Sequence, residues 1–324
     1  MIVVMQEGAT EDQVQAVIDR MVEMDFIIHR STGMSHIVLG GVGPEDRVSP
    51  ADFEEMDGVQ ECRRIMSPFK LASRHFKPAG SIVRVGASEI GGSRLWICAG
   101  LIGASAGRME KTVSALAALG VSAVRLRTPP RAHDDVLPAA RQAATAANVS
   151  LIVEVADTSE IALADWYADM LEVPGRSMLQ RGLLNQLGRL SKPVLLERSN
   201  AAKMEEVLIS AEAILAGGNF SVVLGESGIR TFVTAQNTMD LAAIPVAKKY
   251  THLPIVVDPS AGTGRRGMAA AMAKAAVAAG CDGLVLDVQA GGDPGATAQS
   301  LPMEQLASLI TQLSRLAAAV DRTV

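Results

Sequence analysis

Eight short apolar runs, each followed by a longer helical pattern, predict an α/β chain closing into a (β/α)8 barrel of the TIM type. A βαββαβ order ahead of them predicts a small ferredoxin-like unit. The length of 324 residues suits both predictions, since a barrel takes roughly 250 residues and leaves room for one more small fold. The expected organisation is a ferredoxin-like unit over 1–67, a linker and hairpin over 68–93, and the barrel over 94–324.

In the first unit MIVVMQ reads as a strand. Thr10 and Gln13 then have capping-box spacing, where hydroxyl and amide satisfy each other's backbone donors. Val14, Val17, Ile18, Met21 and Val22 recur at helical spacing behind that cap. FIIHRS and HIVLGGV read as strands, SPADFEEMDG as a short helix and ECRRIMS as a last strand. PFKLASRHFKP reads as the linker, and SIVRVGASEIGG as a hairpin.

The barrel runs are LWICAG, VSAVRL, SLIVEV, ADMLEV, PVLLER, SVVLGE, PIVVDP and GLVLDV. Continuous apolar runs of this kind belong to parallel strands covered by helices. An open doubly wound sheet is the competing arrangement, but no G-x-G-x-x-G follows the first run.

Composition narrows the function classes. A formal net charge of -5 argues against general affinity for nucleic acid. No apolar run approaches the roughly 18 residues that span a bilayer, so no membrane role is expected. Three scattered cysteines without C-x-x-C, and no signal peptide, point to the cytoplasm. Of the five histidines, only His133 lies where it could approach the barrel mouth. No spacing resembles a zinc or iron site, and there is neither a P-loop nor a G-x-S-x-G nucleophile.

In a barrel of this type ligands bind at the carboxyl ends of the strands. The residues there include Arg125, Arg127, Glu154, Glu172, Arg176, Glu197, Arg198, Glu226, Ser227, Asp258, Arg265, Arg266 and Asp287. Arginine recurs, and its fork suits phosphate and carboxylate. The same arginines could equally pair with the neighbouring acids and tie the rim together, and both readings stay open.

PFKLASRHFKP, ILAGGN, GIRTF, NTMDL, LPIVVDPS, TGRR and the late QSL occur in an order that resembles one family over nearly the whole chain. These are the metal-dependent synthases of deoxy-arabino-heptulosonate phosphate (DAHP) that carry an amino-terminal ferredoxin-like regulatory domain. The resemblance implies the condensation of phosphoenolpyruvate with erythrose 4-phosphate, the entry to the shikimate pathway. It also implies an aromatic amino acid as effector of the small domain, and a homo-oligomer.

Carried over position by position, the resemblance places the family's metal ligands at Ile102, Ala261, Asp287 and Ala296, so no metal cofactor is expected. A substrate lysine falls at Glu197 and a substrate arginine at Ser227. Arg125, Glu154, Arg176, Asp258, Arg265 and Arg266 still match, and Arg198 is retained. Lysine attracts a phosphate and glutamate repels it, each by roughly 4 kcal/mol at 4 Å and an effective dielectric near 20. Three functions follow as alternatives. The first is a DAHP synthase-like protein without the usual catalysis, acting as a regulatory or oligomeric partner of an active paralogue. The second is a barrel repurposed for another phosphorylated or carboxylated small molecule, and the third is an active synthase with an atypical site.

Overall fold

The computed structural model describes residues 1–32, 36–43, 48–64, 68–101, 104–127, 135–232, 237–289 and 298–324. The chain divides into two compact units, Met1–Ser81 with Lys249–His252, and Ile82–Lys248 with Leu253–Val324. The segment expected as linker and hairpin is therefore shared, 68–81 folding with the first unit and the hairpin with the second.

The first unit runs β1 (Ile2–Met5), α1 (Glu11–Glu23), β2 (Ile27–Thr32), β3 (Ile37–Val42), α2 (Ala51–Glu54) and β4 (Val59–Arg63). Its antiparallel sheet has the order β2-β3-β1-β4. Period-two alternation sorts β1: Val3 and Met5 pack with Val14, Val17 and Met21 of α1 and Phe53 of α2, while Ile2 and Val4 face the other side. The capping box forms, with Gln13 N donating to Thr10 Oγ1 at 3.3 Å and Thr10 N to Gln13 Oε1 at 2.9 Å. Leu71 and Phe76 anchor the following segment. His252 is bound there by both ring nitrogens, to Leu71 O at 2.6 Å and Ser81 Oγ at 2.8 Å. A carbonyl only accepts, so Nε2 carries the proton and Nδ1 accepts from the Ser81 hydroxyl. Burial lowers the pKa of this ring to about 4, so it stays neutral.

In the second unit a hairpin of β5 (Val83–Val85) and β6 (Ser88–Ile90) precedes the barrel. The barrel strands are β7 (Trp96–Leu101), β8 (Ala123–Leu126), β9 (Ser150–Glu154), β10 (Met170–Val173), β11 (Val194–Glu197), β12 (Val222–Glu226), β13 (Ile255–Val257) and β14 (Gly283–Gln289). Neighbours pair in parallel around the ring, and β14 closes it by pairing with both β7 and β13. The helices between them are α3 (Ala106–Ala118), α4 (Val136–Ala146), α5 (Ile161–Tyr167), α6 (Arg181–Leu187), α7 (Met204–Ala216), α8 (Ala243–Tyr250), α9 (Pro259–Thr263) and α10 (Arg266–Ala278). A two-residue β15 (Leu301–Pro302) and α11 (Met303–Ala318) end the fold. No helix among the described residues is long and apolar enough to cross a membrane.

Each barrel strand contributes one residue to a single apolar layer: Cys98, Ala123, Ile152, Met170, Leu195, Val223, Val256 and Val285. Trp96 and the hairpin residues Val83, Val85 and Ile90 pack onto it from the amino-terminal side. That layer fixes the site. Side chains alternate along a strand, so the inward position two residues further on belongs to the next layer toward the mouth.

Candidate active site: a charged layer under the barrel mouth

Two residues beyond the apolar layer stand Gly100, Arg125, Glu154, Glu172, Glu197, Gly225, Asp258 and Asp287. Six of these eight positions are charged, and five are acids. The two glycines make the room. A Cβ at Gly100 would overlap Asp287 Oδ1 and stand 3.1 Å from Arg125 Nη2. The sequence predicts Arg125 as a rim residue. The structure places it within β8 and only 1% exposed, because it belongs to this interior layer.

Arg125 is the hub of that layer. Its Nη1 donates to Glu172 Oε1 at 3.1 Å, and its Nη2 to Asp258 Oδ2 at 2.7 Å and Asp287 Oδ1 at 2.9 Å. Arg127, two residues further toward the mouth, donates from Nη2 to the same Asp258 oxygen at 3.0 Å and to Glu197 Oε1 at 3.3 Å. The other Glu197 oxygen accepts the backbone N–H of Gly175 at 2.9 Å. Arg176 pairs with Glu154. Arg198 is buried on Glu226 at 2.8 Å and Asp240 at 3.0 Å. Arg125, Arg127, Arg176 and Arg198, four of the arginines expected to hold an anion, are thus paired with the chain's own acids.

Burial and partner charge set the protonation of these acids. Burial works to raise the Asp258 pKa, but Arg125 and Arg127 outweigh it and hold the group below its usual range. Asp287 moves the other way, raised by burial and by the neighbouring Asp258 charge. Burial lifts Glu172 to about 7 against the pull of Arg125. Its Oε2 is buried and has no hydrogen-bond partner among the described residues. Between the ordinary glutamate pKa and about 7, the unfolded chain ionises while folded Glu172 keeps its proton, so rising pH removes stability. The variant Glu172→Gln is expected to gain stability over the parent through that window and hold the gain above it. Parallel denaturant titrations across the pH range check this; a difference that does not change with pH refutes it.

Above the layer lies a cavity of about 500 Å3 lined by Arg127, Glu154, Arg176, Glu197, Asn237 and Ala261, among others. Ser227 and Arg198 also line it, whereas Arg265 and Arg266 do not. Arg265 is exposed just ahead of α10, and Arg266 is half-buried at its first position. In the G-T-G turn Gly264 N is committed to Ser260 O at 2.9 Å, and Arg265 N to Thr263 Oγ1 at 3.4 Å. Ile102, Ala296 and His133 lie outside the described residues.

The whole-chain comparisons now decide the family. The DAHP synthetase I family model matches residues 131–320, and the DAHP synthase ferredoxin-like domain model matches residues 1–67. A phospho-2-dehydro-3-deoxyheptonate aldolase of Thermotoga maritima is 33% identical over 333 residues, covering 99% of this chain and 98% of that one. The chain belongs to the DAHP synthase I family.

A crystal structure of the Thermotoga maritima DAHP synthase superposes with a TM-score of 0.75 at 32% identity, covering 100% of this chain and 98% of that one. A 2-dehydro-3-deoxyphosphooctonate aldolase of Syntrophobacter fumaroxidans is 29% identical over 178 residues, 51% of this chain and 61% of that protein. The DAHP synthase resemblance implies a divalent metal, and the donors here do not fit one. Ala261 has no ligating atom. Asp287 spends one oxygen on Arg125 and the other on Gln299 Nε2 at 2.6 Å. Among the described residues no three or more His, Cys, Asp and Glu side chains gather as a metal site. A divalent ion needs several converging donors.

Some of this site was missed in the sequence. In the sequence Glu172 is one rim acid among many. The signal that finds it is the two-residue step from Met170 in a strand whose neighbours carry acids at the same step. Asp240 gave no signal, since its role rests on reaching Arg198.

Proposed function

We propose that this DAHP synthase homologue does not carry out the metal-assisted condensation of phosphoenolpyruvate with erythrose 4-phosphate. In this reading it serves the aromatic amino-acid pathway as a regulatory or oligomeric partner, homo-oligomeric and associated with an active paralogue. The observation that carries the reading is Glu197, whose carboxylate takes Arg127 and the Gly175 N–H at the mouth. An anionic substrate would need those donors and would meet a negative charge instead. The missing donor at Ala261 supports the same conclusion, since Lewis-acid polarisation of the aldehyde needs a bound ion.

Full-length protein incubated with phosphoenolpyruvate, erythrose 4-phosphate and manganese is expected to leave the phosphoenolpyruvate absorbance unchanged. Turnover at an ordinary rate for this family would overturn the proposal.

The small unit supports the regulatory half of the reading. A largely apolar cavity of about 510 Å3 lies within it, lined by Ile2, Val4, Val38, His36, Arg63 and Arg74 among others. An apolar floor with cations at its edge suits an aromatic amino acid, whose ring is buried while its carboxylate meets a positive charge. Phenylalanine, tyrosine or tryptophan is expected to raise the melting temperature saturably, and a flat response to all three would remove the effector from this reading.

A further inference from the structure

Beneath the mouth cavity lies a second and much smaller one, about 10 Å3 in volume, lined by Arg125, Glu172, Glu197, Glu226, Ser227 and Asp258. The remaining walls are apolar or glycine: Leu195, Gly225, Val256 and Val285. That volume is about one water-sized probe. Glu197 and Ser227 line both cavities, so the small one is the floor of the large one.

Charge on this floor does not balance. Four carboxylates line it, against one guanidinium. Arg127 serves Glu197 and Asp258 from above, and Arg198 serves Glu226 from the side. Arg125 is divided among Glu172, Asp258 and Asp287. Counting Asp240 on Arg198, six acids therefore share three arginines. Among the described residues the buried Glu172 Oε2 meets no donor, and Arg125 Nε and Arg127 Nε beside it meet no acceptor. Once Glu172 has lost its proton its Oε2 accepts and cannot donate, so the group missing beside it is then a donor, and the excess of acids asks that it be positive.

We propose that the floor of the barrel mouth binds a primary ammonium group, donated to Glu172 Oε2, Ser227 and the surrounding carboxylates, with the rest of the amine occupying the 500 Å3 cavity above. An ammonium head is about the size of a water molecule and carries three donors. A guanidinium is too large for the volume, and among the described residues no group of three His, Cys, Asp or Glu side chains gathers to hold a divalent ion. A water fits the space but leaves the charge uncorrected. Arg176, paired with Glu154 but with 64% of its side chain exposed, stands at the rim where an anionic end of such an amine would lie. This proposal rests on the reading that the ancestral anions no longer hold the mouth.

The groups facing Glu172 are Arg125 from β8, Glu154 from β9 and Glu197 from β11, with Arg127 reaching in from above β8. Of these, the arginines keep their charge at any ordinary pH. Loss of the Glu172 proton near neutrality is therefore the step that opens the site to an external cation.

The test follows thermal unfolding of the full chain in methylammonium chloride, with tetramethylammonium chloride at equal ionic strength as the bulky control. At about pH 8 methylammonium is expected to give a saturable rise of about 2–4 °C, the control none, and the rise should shrink at about pH 6, where Glu172 is protonated. Glu172→Gln should abolish it. No rise, an equal rise with tetramethylammonium, or a rise that survives Glu172→Gln would each overturn the proposal. Should the variant fail to fold, the control cation and the pH dependence decide the question in the parent protein alone. Turnover of phosphoenolpyruvate together with a specific ammonium response would sink the functional reading and leave this one standing.

Discussion

Replacing Arg125 with methionine is expected to cost the barrel about 3–5 kcal/mol of stability, the magnitude seen when one partner of a buried ion pair is removed. The volume is nearly kept, so the loss is electrostatic rather than a cavity effect. Glu172, Asp258 and Asp287 would be left in the interior with their shared counter-charge gone. Each is at most 5% exposed, and water cannot take over the role of the guanidinium without opening the layer. The measurement is the denaturant midpoint, with the slope checked for two-state behaviour. A loss below about 1 kcal/mol would mean that the network contributes little beyond packing. Pairing Arg125→Met with Asp287→Asn removes one of the stranded charges and should recover part of the loss, since contacting residues are coupled rather than additive.

The second large effect concerns ligand binding. The parent protein is expected to give no calorimetric heat with phosphoenolpyruvate, and Glu197→Lys to bind it. The change acts twice. It removes a negative charge worth roughly 4 kcal/mol at 4 Å and adds a positive one of similar size, at an effective dielectric near 20. It also releases Arg127 from one of its two acids and frees the Gly175 N–H, so two native donors turn toward the ligand. Restored binding need not restore turnover, because Ala261 and the Arg125-bound Asp287 still provide no metal site. Binding by the parent as tight as by the variant would show that Glu197 does not block the mouth.

The fold was legible because each element carries its own period. Val14, Val17 and Met21 recur at helical spacing, and the structure packs all three against β1. The continuous apolar stretches LIV and VLL lie within β9 and β11, where they are buried on both faces. The site was legible as a set of residues but not as a set of contacts. In the sequence Arg125 and Arg127 suit anion ligands or partners of the acids, and nothing local distinguishes the two. Choosing between them requires knowing that Asp258, 133 residues away from Arg125, lies within hydrogen-bond distance.

What the sequence by itself determined is the architecture, the family membership carried by its motifs, and the identity of the six charged residues in the layer under the mouth. What only the tertiary structure decided is that Gly100, Arg125, Glu154, Glu172, Glu197, Gly225, Asp258 and Asp287 share one layer, and that the acids there outnumber the guanidiniums. The physical reason is barrel closure. Strand periodicity is a local property, readable over a few residues, but the stagger between neighbouring strands is fixed only when β14 meets β7 and β13. That closure sets which side chains stand level in the interior, and in a low-dielectric layer the level they share determines which charges are answered and which, like Glu172, are left seeking a partner.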